Sequence, residues 1–151
     1  MRDSMQLPIA LIAAIVTQLL CQLFKLFYYS ARTGALSFKY FVTSGGMPSS
    51  HSAFVTALGV ALAIHDGIAS DAFAVAVVFG FIVMHDAYRL RGTVEKQSRL
   101  LKRILADRPG ESAELPEMLG HTPLEIAIGV VAGAAVGAGT TLLLELLLVP
   151  R

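Results

Sequence analysis

The fold is decided by the stretch PLEIAIGVVAGAAVGAGTTLLLELLLV, residues 123–149. It carries no charged side chain between residues 126 and 144. Because about 20 apolar residues of α-helix are needed to cross the hydrocarbon core of a bilayer, this stretch predicts a transmembrane helix. Gly129, Gly133 and Gly137 recur at every fourth position, so they share one helical face. Such a small-residue face allows close helix packing, either within one chain or across a homodimer.

Three more apolar stretches cover residues 7–28, 48–64 and 68–84, and the last two are joined by the short polar turn His65-Asp66-Gly67. The first stretch is interpreted as a retained helix rather than a signal peptide, since it lacks a small-x-small cleavage site. We therefore expect an all-α integral membrane bundle of about four transmembrane helices. A single membrane-embedded domain would occupy residues 1–151.

Composition supports a membrane protein. Of the 151 residues, 55% are hydrophobic and 15% charged, whereas soluble domains average about 25% charged residues. This excludes a disordered or nucleic-acid-coating protein, so no nucleic-acid partner is expected. Cys21 is the one cysteine, which excludes a disulfide framework and a cysteine-based metal site.

The charges are distributed unevenly along the chain. Segment 86–122, between the third and fourth apolar stretches, holds seven of the twelve Lys and Arg residues. The part from 93 to 106 places Val94, Leu101 and Ile104 near one helical face, which predicts an interfacial amphipathic helix in the loop between helices 3 and 4. By the positive-inside rule the loops face the cytoplasm of a multi-pass cell-membrane protein, unless some of these cations serve chemistry instead.

Two predicted helix starts carry histidines. Segment GGMPSSHSA, residues 45–53, combines Gly45 and Gly46 with Pro48, which suits a first helical position. Free N–H groups and the hydroxyls of Ser49 and Ser50 at a helix N-terminus can bind an anion beside His51. The alternative is an ordinary capped helix start.

The second start is GHTPLE, residues 120–125, where Thr122 is a suitable N-cap and Pro123 a suitable first residue. Glu125 follows His121 by four positions and can therefore reach its imidazole. The alternative is a capping threonine with a solvated His and Glu. Two such starts on one side of the membrane favour a shared site.

Cations on the same side can complete this site. Lys25 and Arg32 are seven residues apart, or two helical turns, and would project from one face. Arginine suits two phosphate oxygens and lysine supplies a point charge. Snorkelling of Lys25 to lipid headgroups is the alternative.

The order Lys25-x6-Arg32, Pro48-Ser49-Ser50-His51 and His121-x3-Glu125 resembles the three-part signature of the type 2 phosphatidic acid phosphatase and vanadium haloperoxidase superfamily. The motifs GGMPSSHSA and LGHTPLE are similar to those of its small, divergent bacterial and plastid branch. The resemblance extends over residues 7–137.

The resemblance implies a membrane-embedded hydrolase that removes phosphate from a lipid phosphate or pyrophosphate and uses no metal or other cofactor. His121 would be the nucleophile, forming a phosphohistidine, Glu125 would orient it, and His51 would be the general acid. The implied phosphate ligands are Lys25, Arg32, Ser49 and Ser50. The implied substrate is a membrane lipid of the phosphatidylglycerophosphate, phosphatidate or polyprenyl phosphate type.

The sequence departs from the superfamily signature at three positions. Thr33 replaces a proline, Ser50 replaces a glycine, and Leu115 stands where an arginine is expected six residues before His121. We expect Arg89 or Arg91 to supply the missing cation, with Asp86 tethering it. The alternative is that these arginines are topology signals. Leu115 motivates an alternative function of the same fold, a membrane protein that binds or transports anionic lipids without hydrolysis. A vanadate-dependent haloperoxidase and a purely structural scaffold explain the sequence less well.

Overall fold

A computed structural model describes residues 8–36, 41, 46–106 and 121–148, without the side chains of residues 90, 91, 95 and 106. Four helices make up nearly all of this described part. They are α1 (Ile9–Thr33), α2 (Ser50–His65), α3 (Asp71–Ala106) and α4 (Pro123–Leu148). The predicted all-α membrane bundle is confirmed.

Helices α1, α3 and α4 are long and apolar enough to cross a membrane, whereas α2 is a shorter apolar helix of 16 residues. At 1.5 Å per residue α2 extends about 24 Å, less than the ~30 Å of a typical hydrocarbon core. It packs against each of the other three helices, so it is the central element of the bundle.

The core of this bundle consists of small side chains. Ala13 and Ala14 of α1, and Ala53, Ala57 and Ala61 of α2, are completely buried. Many large apolar side chains, by contrast, lie on the outer surface, as Phe81 and Val131 do. This distribution suits a bilayer, where lipid solvates large apolar groups and small residues allow helices to pack closely.

The amphipathic segment forms part of a longer helix. Residues 93–106 are helical, as predicted, but they continue α3 without a break and do not form a separate helix in the following loop. The expected boundary was wrong because no proline interrupts residues 85–106 and the lone Gly92 costs only about 1 kcal/mol among strong helix formers. The basic segment is therefore attached rigidly to the third membrane helix.

The predicted hairpin between α2 and α3 is present. Gly67 adopts a φ of 89° in the turn, and the Ser70 hydroxyl accepts a hydrogen bond from the Phe73 N–H at 3.2 Å. At this end of the bundle His65 Nδ1 lies 3.0 Å from Glu145 Oε1, which connects α2 to α4.

The glycine face of α4 packs on α2 of the same chain. A Cβ atom added at Gly129 would lie 2.5 Å from the Ser49 carbonyl oxygen, and one added at Gly137 would lie 2.7 Å from the Ala57 Cα. Gly133 meets the Ala53 backbone in the same way. Contacts at 49, 53 and 57 thus pair in order with 129, 133 and 137, so the two helices run parallel. The homodimer stays a prediction.

Substitution at Gly133 should separate the two helices. In Gly133→Ala the new methyl group meets Ala53 backbone, which cannot rotate away, so we expect the free energy of unfolding to fall by about 1–3 kcal/mol. Gly139→Ala is the matched control, because its Cβ would meet nothing within 4 Å. Reversible unfolding in mild detergent measures the stability of both variants. Equal stability of Gly133→Ala and Gly139→Ala would contradict this account of the interface.

Candidate functional site

The parallel packing of α2 and α4 brings their N-termini together. The N–H of Ser49, the N-cap residue of α2, donates to the Glu125 carbonyl oxygen in the first turn of α4 at 3.1 Å. Each helix N-terminus carries a partial positive charge, and placing two side by side is unfavourable unless negative charge lies near them. The junction is therefore electrostatically suited to an anion.

Both predicted histidines lie at this junction. The ring centroids of His51 and His121 are 6.3 Å apart, and the ring planes are inclined by 58°. His121 is buried, with 4% of its surface exposed, and His51 is half-buried. Residues 70 positions apart in the sequence thus form one pair of imidazoles in the folded chain.

Glu125 sets the orientation of His121. Glu125 Oε2 lies 3.2 Å from His121 Nδ1 and also accepts from the Thr122 N–H at 3.0 Å. Because a carboxylate oxygen accepts hydrogen bonds, this contact favours the tautomer that carries its proton on Nδ1 and a lone pair on Nε2. The structure thus favours the His–Glu contact over the solvated pair that the sequence left open.

Backbone bonds hold this arrangement in place. The Glu125 N–H donates to the Thr122 hydroxyl at 3.2 Å, which completes a capping box at the start of α4. The His121 N–H donates to the Ala87 carbonyl of α3 at 3.1 Å. The Thr-x-x-Glu spacing of the capping box is visible in the sequence, so the second contact of Glu125 was predictable from that spacing, whereas the bond to Ala87 was not.

The serines next to His51 cap α2. Ser49 Oγ accepts from the Ser52 N–H at 3.4 Å and lies 2.9 Å from Ser52 Oγ. The hydroxyl of Ser50 is fully buried and makes no hydrogen bond to another described residue. Pro48 precedes the cap and follows a cis peptide bond, so its expected place as the first helical residue is wrong.

The segment before the cap is fastened to α1. The Met47 N–H donates to the Tyr29 hydroxyl at 3.3 Å, and Gly46 has a φ of 86°. This positive φ favours glycine, and a Cβ atom at Gly46 would lie 2.5 Å from that hydroxyl oxygen, so the Tyr29 side chain would also have to shift. Gly45 lies outside the described residues. Tyr29 was not predicted from the sequence, since nothing in the pattern distinguishes it from other interfacial aromatic residues.

Lys25 lies inside the bundle. Only 1% of its surface is exposed, so its side chain does not snorkel outward to lipid headgroups. It is close enough to Glu125 for the two opposite charges to attract each other. Arg32 is placed differently: it is exposed at the end of α1, and its guanidinium lies 5.8 Å from the centroid of the Tyr28 ring.

An open cavity of about 480 Å³ adjoins His121. Helix α3 lines it with Arg89, Gly92, Thr93 and Lys96, and His121 and Thr122 line the other wall. Arg89 therefore lines the same cavity as His121, whereas His51 is not among the lining residues.

Other sequence-predicted residues are less well placed or not described. Asp86 is half-buried next to Ala87 on α3, while the Arg91 side chain and all of residue 115 lie outside the described part. Lys96 was not singled out from the sequence. Its seven-residue spacing from Arg89 is informative only once the structure shows that both residues line the same cavity as His121. In the described ranges, no three His, Cys, Asp or Glu side chains converge as metal ligands.

Comparison with known proteins gives a family and one curated relative. The model of the Divergent PAP2 family matches residues 8–136, well over half of the chain. An uncharacterized membrane protein of Bacillus subtilis (strain 168), YuiD, is 33% identical over 113 residues, which cover 65% of this chain and 72% of that protein. No solved structure matches.

The family match extends over α1, α2, α3 and the first half of α4, and thus includes both histidines and all the cations discussed above. The family resemblance read from the sequence is therefore confirmed, and the chain is a membrane protein that belongs to the Divergent PAP2 family.

Proposed function

We propose that this protein is a phosphatase embedded in the membrane that removes a phosphate group from a lipid phosphate or pyrophosphate without a metal ion. The observation that carries this proposal is the pairing of His51 and His121 at 6.3 Å. Two parallel helix N-termini meet at this pair, and a carboxylate orients one of the two rings.

His121 is proposed as the nucleophile. Its Nε2 lone pair attacks the phosphorus atom, the bond from phosphorus to the lipid oxygen breaks, and a phosphohistidine forms. The positive charge that develops on the ring is stabilised by Glu125, 3.2 Å from Nδ1. Burial of the ring keeps competing solvent away from this contact.

His51 is proposed as the acid and base. In the first step its proton passes to the leaving oxygen. From a phosphate monoester the lipid alcohol departs, and from a pyrophosphate the lipid monophosphate departs through the bridging oxygen. In the second step the same nitrogen accepts a proton from water as the water oxygen attacks the phosphohistidine. Inorganic phosphate leaves, and His121 is regenerated.

The phosphoryl oxygens need positive charge and hydrogen-bond donors. Lys25 and the N-termini of α2 and α4 would supply these groups. The hydroxyl of Ser50, which has no hydrogen-bond partner among the described residues, would supply a further donor. Arg89 beside His121 can replace the cation lost at Leu115. Arg32, Ser49 and Arg91 remain proposed phosphate ligands, and Asp86 a tether for an arginine.

We further propose that the site faces the cytoplasm. Ten of the twelve Lys and Arg residues lie on the side of the loops that carry the two histidine motifs, and cytoplasmic loops attract such an excess. Substrates would then come from lipids made on that face, such as phosphatidylglycerophosphate, phosphatidate or a polyprenyl phosphate.

Replacing either histidine should abolish turnover. We expect His51→Ala to lower kcat for lipid phosphate by about 10²–10⁴-fold, the usual contribution of a general acid, and His121→Ala to lower it further. Purified protein in detergent or vesicles, assayed for phosphate release, measures this loss. His85→Ala is the control, because His85 is exposed on α3 and lines a separate apolar surface.

A quenched reaction with ³²P-labelled lipid phosphate tests the intermediate directly. Label bound to the protein should be stable in alkali, labile in acid and absent from His121→Ala. Binding of anionic lipid by wild-type protein without phosphate release or trapped label would instead establish the non-hydrolytic alternative. Full activity of both histidine variants would refute the proposal.

The two roles of Glu125 can be separated. Glu125→Gln keeps an oxygen that caps Thr122 but loses the charge that opposes the imidazolium, so we expect kcat to fall by about 10²–10⁴-fold with little change in stability. Thr122→Ala should instead cost about 1 kcal/mol of unfolding free energy, with a much smaller loss of kcat. Steady-state kinetics measure the loss of kcat, and unfolding in detergent measures the loss of stability. Similar kcat values for Glu125→Gln and wild type would contradict the proposed role of Glu125 in supporting His121.

A further inference from the structure

The cavity beside His121 is larger than the proposed chemistry requires. Its volume of about 480 Å³ lies in the range of sites that hold whole small molecules, about 300–1,000 Å³, and exceeds what one phosphoryl group needs. It extends from His121 along α3 to Lys96. The cavity therefore has room for a part of the substrate other than the reacting phosphate.

The cavity wall on α3 is cationic. Arg89 and Lys96 are separated by seven residues, so both side chains leave the same face of the helix at points about 10 Å apart along its axis. Each contributes to the lining, and none of the described residues that line this cavity is acidic. The start of α4 at Thr122 and Pro123 adds the positive end of a helix on the opposite wall.

Gly92 and Thr93, which line the cavity between Arg89 and Lys96, leave space for an anion. Thr93 lines the cavity, but its hydroxyl donates its proton to the Arg89 carbonyl at 2.8 Å, so it offers only lone pairs to a ligand. Gly92 also lines the cavity, and a Cβ atom there would meet nothing within 4 Å. Because Arg89 is already proposed as a ligand of the reacting phosphate, an anion in this space would be held mainly by Lys96.

We infer that this cavity is a subsite for a second phosphate group of the substrate, with Lys96 as its main ligand. The inference rests on the proposed phosphatase function and narrows it to lipids that carry two phosphate groups. The group that reacts lies at His121, and the other is bound along α3. A lipid pyrophosphate and a lipid with two phosphates joined through glycerol share this chemistry.

Kinetics of Lys96→Ala test the subsite. Lys96 is exposed and lies on the helix beyond the packed core, so the variant should fold normally. We expect its KM for the matching two-phosphate lipid to rise about tenfold, as for the loss of one charged hydrogen bond, and its KM for a lipid monophosphate to change less than about twofold. Whichever two-phosphate lipid shows the selective increase identifies the spacing that the cavity accepts.

Two further variants make the test specific. Arg103→Ala removes an exposed cation from the same helix outside the cavity and should leave both KM values unchanged. Gly92→Leu places a side chain in the open space and should also raise KM selectively for the two-phosphate lipid. Equal effects of Lys96→Ala on mono- and two-phosphate lipids, or equal effects of Lys96→Ala and Arg103→Ala, would overturn the inference.

Binding to a variant without turnover separates this inference from the proposed function. His121→Ala, titrated with inorganic pyrophosphate and inorganic phosphate by calorimetry, should bind pyrophosphate more tightly, and adding Lys96→Ala should remove that preference. This result would support the subsite even if wild-type protein hydrolysed no lipid. Equal affinity for the two anions would refute it even if hydrolysis occurred.

Discussion

The whole arrangement depends on backbone contact between two parallel helices. Gly129, Gly133 and Gly137 of α4 lie directly on the backbone of α2, where any side chain would force the helices apart. In a bilayer apolar burial alone does not hold helices together, so such close approach supplies much of the packing energy. It also fixes the axial register, and register determines that Ser49 meets Glu125 and that the two histidines become neighbours.

Parallel packing has an electrostatic consequence. Antiparallel neighbours place opposite helix ends together, whereas α2 and α4 place two positive ends at one point. The buried Lys25 of α1 adds a basic side chain to the interior of the same bundle. The fold itself thus produces a positive potential at the junction of the two N-termini, which an anion would complement.

The position of the basic segment follows from the continuity of α3. A separate helix lying on the membrane surface would have directed its cations to lipid headgroups. In the continuous helix, by contrast, Arg89 and Lys96 line the cavity next to His121. The His121 N–H to Ala87 carbonyl bond anchors the start of α4 to that same helix. Three helices thus contribute to a site that the two histidine motifs alone would not complete.

The sequence by itself determined the membrane class, the four apolar helices, and the residue types at the two helix starts, because hydropathy, capping and spacing are local properties. Tertiary structure decided that the glycine face packs on α2, that Lys25 is buried, and that Tyr29 binds the Met47 N–H. It also decided that Lys96 lines the same cavity as His121. These contacts join residues distant in the chain. They depend on the rotation and axial register of whole helices, which are set by side-chain packing between helices and leave no local periodic signal.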